Sequence, residues 1–166
     1  MMLLERIATR APAACARVLQ AVVADTRAPE EARVSALQVL RRAGPPDPSL
    51  EPLLAQASLQ TGSPRLRAAA LPLYALLIDA AAAEELARAE MKGAPAARVT
   101  AAAIWGAIAV AHPELAVKPL RGMIYDPSAD IRAEAARGFA SLKHEGISLA
   151  GKLLGDPSAE VESAAL

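Results

Sequence analysis

The chain has 166 residues, 54% hydrophobic but only 2% aromatic, with 18 Lys plus Arg against 18 Asp plus Glu. High apolar content at zero net charge excludes a disordered chain, and the length allows one domain with a substantial core. Ala fills about a quarter of the positions and aromatic and Thr residues are scarce, so helix is favoured over sheet and the expected class is all-α.

The start, MMLLERIATRAPAACA, has an apolar run of four residues before Glu5 and Arg6, too short for a secretory signal. Cys15 is alone and cannot form an internal disulfide, so a reducing, cytoplasmic setting is expected. A first helix is predicted over 12–24 and a second around Arg33 in APEEARVSALQVL. Residues 43–48, AGPPDP, form the longest break, a surface turn rather than a linker between domains. Then come a helix over 49–58 and one around Arg67 in GSPRLRAAALPLY, where Pro72 should remove the bond to the Ala68 carbonyl and kink the helix. Further helices are predicted over 81–90, around Arg98 in APAARVTAAAIW, over 113–124, around Arg132 in DPSADIRAEAARGF, over 147–154, and around Glu162 in DPSAEVESAAL. The charge-free stretch 99–113 is too short to span a membrane and ends in a proline.

Five of these segments are copies of one pattern. Their anchors, Arg33, Arg67, Arg98, Arg132 and Glu162, are spaced by 34, 31, 34 and 30 residues. An apolar residue precedes each anchor (Ala32, Leu66, Ala97, Ile131, Val161), and an Ala follows at offset +3 (Ala36, Ala70, Ala101, Ala135, Ala165). At offset +7 the four complete copies carry Leu40, Tyr74, Trp105 and Phe139. These offsets share one stripe of a helix turning 100° per residue. Pro29, Pro64 and Pro95 suit a first helical turn, and Asp126 and Asp156 are N-cap candidates before Pro127 and Pro157. Each unit is expected to be an antiparallel helix pair that cannot bury its stripe alone, so neighbours stack into a solenoid of about four and a half repeats: 1–43, 44–79, 80–111, 112–144 and 145–166.

The units resemble HEAT repeats. Asp126, Pro127, Ile131, Arg132, Ala135 and Phe139 match the family pattern of a turn Asp-Pro, a hydrophobic residue, an Arg, an Ala and a Leu-like residue. Asp156, Pro157, Val161, Ala165 and Leu166 match as well, with Glu162 replacing the Arg. In the first three copies Arg27, Thr61 and Lys92 replace the turn Asp. In the family this Asp and the Arg form a polar ladder between units, which the fourth copy alone retains in full. The resemblance covers nearly the whole chain and implies a right-handed α-α superhelix presenting one helix layer to a protein partner. The chain stops four residues past its fifth anchor with Ala164, Ala165 and Leu166, a poor solvent-facing cap. A piece of a longer array, or end-to-end self-association through this incomplete unit, would account for it.

No catalytic constellation stands out. Residues 146–153, GISLAGKL, satisfy G-x4-G-K, but Leu153 stands where a Mg²⁺-binding Ser or Thr belongs and no strand precedes it, so a short helix is expected. His112 and His144 are each expected near a helix C-terminus, and with Cys15 remote they suggest neither a nucleophile pair nor a metal site. Glu84 and Glu85 diverge by about 100° on a helix, and Glu84 is better placed to pair with Arg88. Trp105, Tyr74 and Phe139 belong to the buried stripe rather than to a nucleic-acid groove.

Offsets +1, +5 and +8 lie opposite that stripe. They nominate Val34, Gln38, Ala68, Pro72, Ala75, Val99, Ala103 and Arg137 as a partner-binding face on the second helices. Close packing of small residues is the competing explanation for that face, and Ala103→Glu is expected to abolish binding without unfolding the chain. The function expected is a non-catalytic scaffold for another protein or peptide, with no cofactor, metal, nucleic acid or membrane span. A bilin lyase-type enzyme, known among HEAT-like proteins, would develop visible absorbance with a tetrapyrrole. A nucleic-acid binder would retain DNA in a salt-dependent way.

Overall fold

In a computed structural model, residues 12–166 are described. The leading residues 1–11, including the apolar run considered above, lie outside them, and the side chain of Cys15 is not described either. The protein is all-helical, with ten α-helices and no strand among the described residues. They are α1 Pro12–Ala24, α2 Glu30–Ala43, α3 Glu51–Ser58, α4 Pro64–Tyr74, α5 Ala80–Met91, α6 Pro95–Ala111, α7 Pro113–Met123, α8 Ala129–Phe139, α9 Lys143–Gly151 and α10 Ala159–Ala165. Short 3-10 turns, Pro48–Leu50 and Ala140–Leu142, lead into α3 and α9. Among the described residues no helix is long and apolar enough to cross a membrane.

The chain groups into two compact units, one ending at Leu77 and the other spanning Ile78–Leu166. In the first, α1 packs on α2, α3 on α4, and the second helices α2 and α4 on each other. Leu19, Val23, Leu37, Leu40, Leu54, Leu66 and Leu73 fill its core. In the second unit α5 packs on α6, α7 on both α6 and α8, and the second helices α6, α8 and α10 lie against one another in sequence. Ile104, Trp105, Leu120, Ile131, Phe139 and Val161 are buried there. Each large aliphatic side chain so enclosed stabilises its unit by about 1.5–3 kcal/mol.

The repeated stripe explains this packing. Ala36, Ala70, Ala101 and Ala135 are 0–3% exposed, and Leu66, Ile131 and Val161 before their anchors are fully buried. Tyr74 is half-buried, while Trp105 and Phe139 are buried in the core expected for them. Ala32 departs from the pattern. It is exposed because it lines an open groove of about 230 Å³ between α1 and α2, with Val18, Leu19, Val22 and Val39.

Local chemistry sets the helix ends. Pro64, Pro95 and Pro113 occupy first-turn positions, where a missing N–H costs nothing. Pro29 instead sits just ahead of α2. Asp79 caps α5, its carboxylate accepting from Ala82 N at 3.0 Å. Asp126 and Asp156 are not the N-caps expected of them. Ser128 and Ser158 hold those positions, and each Asp accepts the backbone N–H of the Ser two residues on, at 2.9 Å. Pro72 lies inside α4, which ends two residues later at Tyr74.

The helix predicted over 147–154 is shifted to Lys143–Gly151. The chain passes from α8 through the Ala140–Leu142 turn straight into α9, and close packing at Gly146 is what permits this. A Cβ on Gly146 would lie 2.0 Å from the Phe139 carbonyl oxygen. Gly146 is therefore a packing residue within a helix, and no phosphate-binding loop forms around it.

Candidate interaction surface

Second helices build the surface. In the first unit α2 and α4 flank a shallow groove of about 190 Å³ lined by Glu30, Glu31, Val34, Ser35, Gln38 and Arg65. Glu31 and Arg65 each stand two residues before their anchors, and Arg65 Nη1 donates to Glu31 Oε1 at 2.8 Å across the groove. Both side chains are mostly in solvent, so the pair fixes the rim more than it stabilises the fold. Beneath it, Arg33 donates from Nε to the Val23 carbonyl at 3.0 Å, tying α2 to the end of α1.

The second unit has a different seam. Arg98 donates to Asp126, in the turn opening the next copy. Arg132 repeats this with Asp156, donating from Nε and Nη2 to the two carboxylate oxygens at 2.8 Å each. Its Nη1 also donates to the carbonyls of Asp126 and Pro127, at 2.8 and 3.1 Å. Only 13% of the Arg132 side chain and 7% of the Asp156 side chain are exposed. The Arg132 bond and the Ser158 N–H hold the Asp156 carboxyl below its ordinary pKa, and the Asp156 bond holds the Arg132 guanidinium above its own. Arg137 stands on the outer side of this seam, paired with Glu134 at 2.7 Å and Glu160 at 3.0 Å. Burial opposes its charge, but the two carboxylates outweigh burial and raise its pKa.

The nominated partner residues are not all at the surface. Gln38 and Arg137 are exposed; Val34, Ala68 and Val99 are half-buried; Pro72, Ala75 and Ala103 are buried. The offset argument gave each second helix one covered side. In fact α6 is flanked by α5, α7 and α8, so Ala103 is enclosed, at 5% exposure. Ala103→Glu would therefore bury a charge and cannot serve as a surface probe. Only Val34 and Gln38 share the α2–α4 groove.

Other features also depart from the sequence reading. The ladder has two rungs rather than one complete copy, because each Arg reaches the Asp of the following unit. The signal was present: Arg98 lies 28 residues before Asp126, and Arg132 lies 24 before Asp156. Glu31 and Arg65 were also legible as opposite charges at one offset in successive copies. His112 follows α6, with Nδ1 3.5 Å from Glu114, whereas His144 lies in the first turn of α9 rather than at a C-terminus. Glu84 pairs with Arg88 as expected. No group of three metal-ligating side chains occurs among the described residues.

No family model matches the chain, and no curated protein matches it. Among solved structures it is similar to an engineered protein from the Northeast Structural Genomics Consortium, at 19% identity and a TM-score of 0.46. The match covers 90% of this chain and 76% of that one. At that score the likeness bears on neither fold nor function.

Proposed function

We propose that the chain is a cytoplasmic, non-catalytic HEAT-like repeat protein that binds a partner protein or peptide on its second-helix layer. The repeats are taken to continue as a right-handed solenoid. Its support is the common packing rule within each unit, second helix against second helix, and the recurrence of the Arg-to-Asp rung at Arg98 and Arg132. One observation carries the binding reading: the α2–α4 groove, where half-buried Val34 and exposed Gln38 lie beside the Glu31–Arg65 pair. Such a groove offers a small apolar contact, an amide able to bond a peptide backbone, and charges of both signs, Glu30 and Glu31 against Arg65, to fix register.

The test is site-specific photo-crosslinking in the source cells, with a photoreactive residue at Gln38 or, as a control, at exposed Glu85 on α5. A discrete adduct is expected at position 38 and not at 85, and Val34→Lys should remove it while the helical circular dichroism is unchanged. Equal labelling at the two positions, or an adduct indifferent to Val34→Lys, sinks the reading.

A further inference from the structure

The groove between α2 and α4 holds more negative charge than it neutralises. Glu30 and Glu31 line it from α2, and Arg65 alone opposes them from α4. Arg65 is committed to Glu31, at 2.8 Å across the groove. The half-buried Glu30 carboxylate is left with no hydrogen bond or ion pair among the described residues, and so is the exposed Gln38 amide. Glu30 is already partly withdrawn from water, so a cation set against it gains more there than on open surface.

These two unpartnered groups bracket Val34. Glu30, Val34 and Gln38 are spaced four residues apart and form one ridge of α2 along the groove. At 1.5 Å rise per residue, neighbours on this ridge stand about 6 Å apart along the helix. Side chains on one face of an extended peptide recur every second residue, at about 6.6 Å. Ridge and extended chain therefore stay in step over three positions. A helical partner has a similar spacing at every fourth residue, but its backbone groups bond one another and leave the Gln38 amide nothing to hold. An extended chain keeps a free N–H and C=O for that amide.

With the groove taken as the binding site argued above, we propose that its occupant is an extended, basic peptide segment. A Lys or Arg of the segment pairs with Glu30. A small aliphatic side chain two residues away packs on Val34, and the Gln38 amide bonds the backbone beyond it. An acidic segment is turned away, because it meets Glu30 while Arg65 is already held by Glu31.

Panning a random dodecapeptide phage library on the immobilised full chain tests this, followed by fluorescence anisotropy in low salt with synthetic copies of the enriched peptides. Those peptides are expected to share a Lys or Arg two residues from a Val, Ala or Ile. Glu30→Lys should weaken them about fivefold, whereas Glu85→Lys on α5, the control for net charge, should bind as the wild type does. Replacing the peptide's cation by Glu should weaken binding to the wild type and restore it to Glu30→Lys, which a mere loss of helix stability would not do. Peptides that need Val34 but carry no cation, carry it at a helical spacing of three or four, or ignore Glu30→Lys overturn the proposal and leave the groove as a binding site. A library with no enriched peptide, or with none sensitive to Val34→Lys, overturns both.

Discussion

The two units carry one repeat pattern and secure it differently. In the second, Arg98 and Arg132 reach into the turn of the following copy and stitch successive second helices together through half-buried ion pairs. In the first, the same anchor in α2, Arg33, turns back to the Val23 carbonyl of its own copy, and the link between second helices moves to the exposed rim at Glu31 and Arg65. The cause is one residue. Thr61 stands where the next copy would offer an Asp, so the Arg33 guanidinium has no carboxylate there and takes a backbone oxygen. Anchor Arg is thus a general-purpose donor, and the turn residue of the next copy decides whether it becomes an inter-repeat bond. This leaves the first unit with a polar, open groove between second helices and the second unit with a closed seam. Close approach also tightens that seam: a Cβ on Gly138 would lie 3.1 Å from Gly106 Cα.

Breaking the second unit should be easiest where its packing is tightest. Ala135 is fully buried on the stripe of α8, and Ala135→Glu encloses a charge without a partner. A loss of about 3–5 kcal/mol is expected, read as a collapsed urea midpoint. Next in size is Gly146→Ala, where the new methyl meets the Phe139 carbonyl and α9 must move off α8; about 3 kcal/mol should be lost despite the better helix propensity of Ala. Gly151→Ala, on the same helix with open space around it, is the control and should be neutral or slightly stabilising.

Asp156→Asn sharpens the contrast between stitched and unstitched copies. The Asp156 pKa is lowered in the folded state, so its contribution is complete above the ordinary carboxylate pKa of about 3.9 and is lost as pH falls through the folded value. Urea unfolding should therefore separate wild type from Asp156→Asn at pH 7, and the gap should close as the carboxyl protonates below pH 4. The matching change Asp47→Asn removes an acceptor bonded only to Ser49 in a turn, and should shift the midpoint less at pH 7.

Much of the fold was legible because small buried residues recur at fixed offsets, and the five copies made the 3.6-residue period hard to miss. Helices starting at Pro12, Pro64, Pro95 and Pro113 appear where proline placed them. What was not legible came from contacts between copies. The start of α9 depends on Gly146 meeting a backbone oxygen of α8, a packing event that no local pattern encodes. Pro72 and Pro119, by contrast, stand inside helices that the sequence reading already drew through them. The partner face was read from one helix at a time, and Ala103 is enclosed by helices that single-helix geometry ignores. Gln38 survives as a surface residue because α2 keeps that flank open.

The smallest effect expected is at the rim of the first unit, and it is the most discriminating. Glu31 and Arg65 are 81% and 74% exposed at the side chain, so water screens the pair and its worth is about 0.2–1 kcal/mol by double-mutant cycle. If the pair serves chiefly to set the groove, reversing it as Glu31→Arg with Arg65→Glu preserves the ion pair and the urea midpoint within error. The same reversal exchanges the positive and negative ends offered to a peptide, so the photo-adduct at position 38 should disappear. Stability and capture would then separate cleanly in one variant. A reversed pair that keeps the adduct would mean that this pair does not orient the partner, leaving recognition to Glu30, Val34 and Gln38.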